Sequence, residues 1–244
     1  MQSEPNTAWR SHAFRVAWPT VLLFAAILAG EALLWWATLS GRLSLWYGWL
    51  PATLLGYLAF TVMHEAGHGN IHGRDPRWKP LAEACGWLSG LLILGPYPAF
   101  RVIHNLHHSH TNDPQRDPDH WVAAGGTVRV ALHCLTMLPY YYWTFLWGPC
   151  SRTRPARLER QFVLWTTAAY VVLAAALTVS GLGRQVLALW LVPAALACGP
   201  PAFVFDWLPH HPHHEQRRGH DTRVLLFPGI GLLSLGQSYH LIHH

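Results

Sequence analysis

The stretch from Leu45 to His72 reads LWYGWLPATLLGYLAFTVMHEAGHGNIH. Its first part, Leu45 to Met63, carries no charged residue and is close to the roughly 20 mainly apolar residues that a helix needs to cross a bilayer. Its last part sets His64, His68 and His72 at intervals of four. On a continuing helix those rings share one face, about 6 Å apart along the axis. A membrane helix that delivers imidazoles at its end therefore predicts an all-α integral membrane protein with chemistry at one membrane face.

The rest of the chain agrees with that class. Of 244 residues, 51% are hydrophobic and 12% are charged, against roughly 25% charged in ordinary soluble domains. Such apolar content excludes a disordered chain. Four spans are expected, about 18–39, 45–63, 162–181 and 186–205, in two hairpins closed by Ser40-Gly41-Arg42 and by Gly181-Leu182-Gly183-Arg184. Of 17 lysines and arginines, only Arg42 and Arg184 lie in these turns. The positive-inside rule then places both termini on the cytoplasmic side. Three shorter apolar stretches, about Ala84 to Phe100, Val128 to Trp147 and Val224 to Leu235, are expected as interfacial or re-entrant pieces of a cytoplasmic helical cap.

Several residue classes are informative by their placement. Glu31 lies inside the first span, where a carboxyl is either functional or neutral and hydrogen-bonded. Cys85, Cys134, Cys150 and Cys198 show no CxxC spacing and read as packing residues. The net charge of +5 is spread over many loops, which points to a lipid surface rather than to nucleic acid. No cleavable leader is expected ahead of the first span.

The chain holds 18 histidines, and they are grouped. His104, His107 and His108 form an HxxHH set, and His240, His243 and His244 form a second. Spacings of three and four put these rings on adjoining parts of a helical surface, where two clasp one ion and the third reaches a neighbour. A fourth group, Asp206 to Glu215, contains His210 and His211. About nine imidazoles are too many for one zinc, which takes three or four protein ligands, so two metals are expected. His72, His110, His120, His211 and His220 are plausible orienters of ligands, whereas His12, His133, His213 and His214 read as interfacial or surface residues. Two other readings compete. His64-Glu65-Ala66-Gly67-His68 satisfies HExxH, the zinc protease pattern, but leaves both HxxHH sets idle. A metal transporter would group its ligands near the bilayer midplane.

At these residues the sequence resembles the membrane fatty acid desaturase superfamily, whose pattern is HxxxH, HxxHH and a third HxxHH. The likeness extends from about Leu55 to His244. Within it, Arg101 to Pro114 (RVIHNLHHSHTNDP), Asp117 to His120 (DPDH), Phe205 to His210 (FDWLPH) and Gly236 to His244 (GQSYHLIHH) resemble the carotenoid β-ring hydroxylase branch. The resemblance implies nine ligands for two ferrous ions: His64, His68, His104, His107, His108, His210, His240, His243 and His244. It implies Glu65 and Asp206 around them, and His72 is expected beside them as an orienter. Glu65 stands where the family usually has Asp, and His211 rivals His210 in the histidine-rich PHHPHH stretch. Relatives continue beyond the position of His244, so a C-terminal tail is expected to be missing, and a terminal carboxylate there would disturb His244 as a ligand.

The activity the resemblance implies is reductive activation of O2 at the two irons, followed by hydrogen removal from an unactivated C–H bond. Return of oxygen gives an alcohol, and hydroxylation of a carotenoid β-ring, β-carotene to zeaxanthin, is the activity expected. Loss of a second hydrogen gives an alkene, and an acyl-lipid desaturase is the alternative. The substrate is lipophilic in either case. The chain shows neither a haem-binding region nor a dinucleotide fingerprint, so electrons are expected from a separate carrier such as ferredoxin. Arg152, Arg154, Arg157 and Arg160 are candidates to dock it by electrostatic steering, or simply anchor the chain at the cytoplasmic surface.

Overall fold

The computed structural model describes residues 16–123 and 125–235. The chain is all-helical, with no strand among the described residues. Helix α1 (Trp18–Leu39) begins with Pro19 in its first turn, where the missing N–H costs nothing. Its bounds coincide with the first expected span. Helix α2 (Leu45–Gly67) starts where the Ser44 hydroxyl accepts the Trp46 N–H at 3.3 Å, and it runs on past the expected Met63 to carry His64 on its last turn. Ala59 and Val62 on α2 have no exposed surface, and both pack in one cluster with Ile27, Tyr97 and Phe100. Burying such a side chain is worth roughly 1.5–3 kcal/mol for a valine, so α2 is held as the central post of the fold.

Helix α3 (Lys79–Leu92) lies along α2, and α4 (Tyr97–His110) follows after a short turn. Arg101 joins three elements, reaching Glu83 of α3 at 3.5 Å and Glu159 at 3.1 Å. Helices α5 (Thr127–Leu135) and α6 (Met137–Leu146) occupy most of the second of the three shorter apolar stretches. Helix α7 (Arg154–Leu177), which carries Glu159, starts where the Thr153 hydroxyl accepts the Ala156 N–H. The chain then passes through α8 (Gly183–Val186), α9 (Val192–Ala197) and α10 (Gly199–Pro201), with wide turns at Leu187–Leu191 and Ala202–Trp207. Pro193, Pro200 and Pro201 lack the N–H that a regular ladder needs, and the Leu208 N–H bonds the Phe203 carbonyl five residues back at 2.9 Å. A short α11 (Ile230–Leu233) is the last element among the described residues.

The expected four spans are supported in part. Among the described residues, two stretches are long and apolar enough to cross a membrane, Trp18–Leu39 and the 54-residue Arg154–Trp207. A straight 54-residue helix would run roughly 80 Å, yet Leu173 and Leu177 share a cavity wall with Leu189 and Trp190. The chain therefore folds back at Gly181, whose φ of 88° suits glycine. Helix α2 has the length of a span, but its Gly, Pro, Tyr and Thr positions dilute its hydropathy. Only 17% and 11% of the two candidate windows are buried, so these helices are not the core of a water-soluble protein. Exposed Leu22, Leu33, Trp165 and Val172 give the outer surface an apolar belt suited to lipid. The chain is a membrane protein.

Candidate metal centre

Helices α2 and α4 bring their histidines end to end. His64 and His104 are 3% and 8% exposed, and the ring centroids of His64, His68 and His104 lie 4.6–4.8 Å apart. Nε2 of His104 faces Nε2 of His68 at 2.6 Å and Nε2 of His108 at 3.0 Å. A neutral imidazole carries one N–H, so in the tautomer with that N–H on Nδ1 the three converging Nε2 atoms present lone pairs to each other. A cation between them turns that repulsion into coordination. Burial, with the neighbouring imidazoles, lowers the His68 pKa to about 4 and that of His108 to about 2, and holds His104 well below its usual value. At neutral pH these rings stay in the unprotonated form that binds metal.

His107 faces the other way. It is 2% exposed, and its Nδ1–H donates to Asp117 Oδ1 at 2.9 Å, with Asp119 Oδ2 at 3.6 Å. Burial works against charge on this ring, but Asp117 and Asp119 override it and raise the pKa to about 10. The ring centroid of His210 lies 4.8 Å from that of His107. His210 is buried and its Nδ1 meets the Asp221 carbonyl at 3.2 Å, whereas His211 is exposed. Two groups thus stand side by side. One is built from His64, His68, His104 and His108, the other around His107 and His210. The donor set, imidazole nitrogens oriented by carboxylates and carbonyls, fits two first-row metal ions.

The orienting residues are partly those the sequence suggested. Glu65 Oε1 accepts from His64 Nδ1 at 3.2 Å, and Glu65 Oε2 accepts from Asn70 Nδ2 at 2.9 Å. A carboxylate committed in this way holds an imidazole and is poorly placed as the general base of a zinc protease. Asp206 sits on the wide turn Ala202–Trp207 and lines an apolar cleft beside Tyr141. His72 departs from expectation. Helix α2 ends at Gly67, and Gly69 takes a φ of 71°, so the run of four-residue spacings breaks. Among the described residues no ring contact joins His72 to the cluster. His213 was expected at the surface but is buried, with its ring 6.0 Å from that of His120 and 6.4 Å from that of His210. His133 is half-buried and stacks on Trp121 at 3.8 Å. His240, His243 and His244 lie outside the described residues, as does His12.

Asp117, Asp119, Asn112 and Tyr141 were not singled out by their chemistry from sequence. Asp117 also accepts the backbone N–H groups of Asn112 at 2.8 Å and Asp119 at 2.9 Å, which fixes its carboxylate. The Asn112 amide donates to the carbonyls of Glu215 and Asp221, both at 2.7 Å, so one side chain ties the loop after α4 to the loop that orients His210. The Tyr141 hydroxyl donates to Asp119 Oδ1 at 2.6 Å. The available signal was an Asp-Pro-Asp-His run in a chain with only 12 acidic residues.

The cleft that reaches this cluster is lined by Phe60, Met63, Phe100, Ile103, Tyr141 and Asp206, among others. It is narrow inside, with about 40 Å³ of free interior volume, and its lining is almost wholly apolar. Phe100 stacks on His104 at 5.1 Å and Phe60 lies 6.3 Å from His64. An apolar ligand in the cleft is therefore separated from the imidazoles by single aromatic rings.

The family model for fatty acid desaturase matches residues 44–244. An omega-3 fatty acid desaturase, chloroplastic, of Brassica napus is 25% identical over 220 residues, covering 80% of this chain and 52% of the relative. An sn-2 acyl-lipid omega-3 desaturase (ferredoxin), chloroplastic, of Arabidopsis thaliana is 25% identical over 221 residues, covering 80% and 47%. A Delta(12) fatty acid desaturase of Caenorhabditis elegans is 35% identical over 77 residues, 31% of this chain and 19% of that protein. The chain spans about half the length of the two plant relatives.

Proposed function

Because the chain belongs to the fatty acid desaturase family, we propose that it is a membrane oxidoreductase that introduces a double bond into the acyl chain of a lipid. The observation that carries this reading is the pairing of a buried imidazole cluster with an apolar cleft at its edge. The names of the relatives favour acyl lipid as substrate and ferredoxin as electron donor.

His64, His68, His104, His107, His108 and His210 are proposed to hold two ferrous ions together with His240, His243 and His244. Bound there, the irons supply reductive activation of O2. Everything else falls to the chain. Glu65 and Asp117 keep His64 and His107 in the tautomer that turns the other ring nitrogen inward. Phe60 and Phe100 wall the cleft and exclude water. Tyr141, bonded to Asp119, presents a polar edge beside Asp206 in an otherwise apolar wall. The balance closes with two hydrogens taken from adjacent substrate carbons, two electrons and two protons from outside, and one O2 reduced to two waters. Four crossings with the histidines on the cytoplasmic side complete the proposal, since the basic residues cluster away from Arg42 and Arg184.

A second reading is hydroxylation of a carotenoid β-ring, supported by the residues between the boxes, Arg101 to Pro114 and Asp117 to His120. The difference between the two lies in how the substrate carbon is positioned. Expression in cells that make both unsaturated lipids and β-carotene, with chromatography of acyl esters and pigments, separates them. New double bonds in acyl chains support the main reading and zeaxanthin supports the second. One bound zinc with peptide cleavage overturns both.

A further inference from the structure

A separate cavity lies far from the histidines and contains a single charged-type side chain. Glu31, midway along α1, faces a space of about 560 Å³, mouth included, whose walls include Trp35, Leu92, Leu173, Leu177, Leu189 and Trp190. Ala52 also borders it, twelve residues before His64 on α2, which puts the cavity roughly 18 Å along that helix from the metal-centre residues. Among the described residues Glu31 makes no hydrogen bond or ion pair. Of the two indole N–H donors in its wall, that of Trp190 is already committed to the Leu91 carbonyl at 2.8 Å and that of Trp35 makes no bond to Glu31, and the Arg42 guanidinium rests over the Trp36 ring at 4.4 Å.

A carboxyl without a donor at this depth is costly, and the hydrocarbon tail of a bilayer lipid offers none. An apolar chain ending in one hydrogen-bonding group satisfies both the wall and the carboxyl. A hydroxyl suits it better than an ammonium, because a buried ion pair needs further hydrogen bonds to offset desolvation and these walls provide none. We infer that the cavity facing Glu31 is a second binding site, independent of the metal centre, that takes the hydroxyl-bearing end of a lipophilic molecule.

The test uses the full chain in phosphatidylcholine nanodiscs, with hexadecanol, hexadecane and hexadecylamine as probes, read by binding isotherms and by infrared difference spectra of the carboxyl stretch. Hexadecanol is expected to bind saturably at one equivalent and to shift a carboxyl band that Glu31→Gln lacks. Glu31→Leu, which suits the bilayer and keeps the fold, weakens hexadecanol binding about tenfold, the worth of one hydrogen bond to such a group. Glu31→Gln retains most of the affinity because it keeps donor and acceptor atoms. Equal binding of hexadecane, an unmoved carboxyl band, or unchanged affinity in Glu31→Leu overturns the site. Tighter binding of hexadecylamine overturns the hydroxyl assignment. None of these readouts depends on metal or on turnover.

Discussion

The Nδ1–H of His107 donates to Asp117 Oδ1 at 2.9 Å with both side chains out of water, at 3% and 2% exposure. This pair fixes which ring nitrogen His107 turns toward the centre. Replacing Asp117 with Ala leaves a buried imidazole without its carboxylate, a change that typically costs about 3–5 kcal/mol. Loss of such an orienter lowers metal affinity roughly 10- to 100-fold. Iron content after dialysis against graded chelator is expected to fall in Asp117→Ala while helical circular dichroism persists. Undiminished iron retention would count against the orienting role.

His210 and His211 are neighbours in sequence with opposite fates, the first buried against His107 and the second exposed. His210→Ala is expected to lose iron and turnover together. His211→Ala should keep both to within about a factor of two, since exposed substitutions usually stay within about 0.5 kcal/mol. Equal damage from the two variants would reverse the assignment made from burial.

The pH dependence of the metal-free chain follows from opposite shifts. His68 and His108 have folded pKa values of about 4 and 2, below the ordinary 6.5, so the unfolded state binds more protons and stability is lost as pH falls below about 6.5. His107 has the reverse sign. Its folded value of about 10 gives stability that is complete below 6.5 and disappears as pH rises through 10. Thermal midpoints in chelator should therefore decline on both the acid and the alkaline side. Asp117→Asn is expected to flatten the alkaline limb alone, and a variant with both limbs intact would contradict this origin.

What the sequence made legible was periodic. Pro19 and the Ser40-Gly41-Arg42 turn bound α1, and the spacings of His64 with His68 and of His104 with His108 survive because each pair lies within about one turn of helix. The pairing of His107 with Asp117 was not legible, because it joins a helix to a loop whose course depends on contacts with the distant Glu215 and Asp221 carbonyls. His72 failed for a local reason, the left-handed Gly69 that ends the helix before the third interval. His213 failed because PHHPHH has no period to assign a face; its backbone takes a positive φ of 64° and its side chain is buried. The four-span count is supported only in part, because Gly, Pro and Tyr dilute the hydropathy of α2.

Arg152, Arg154, Arg157 and Arg160 are all exposed at the start of α7, and Thr153 caps the helix between them. Arg157 bonds the Arg152 carbonyl, which holds one guanidinium against the backbone and leaves Arg154 and Arg160 to project from neighbouring turns. An acidic one-electron carrier meeting this face gains rate through long-range attraction, which salt screens over about 10 Å at 0.1 M ionic strength. The double reversal Arg154→Glu with Arg160→Glu is expected to slow ferredoxin-supported turnover about tenfold or more at low salt, and much less at high salt. Turnover driven by a small uncharged chemical reductant should be unaffected, because the variant leaves the metal centre alone. A loss that persists with the small reductant would instead assign these residues to membrane anchoring or to folding.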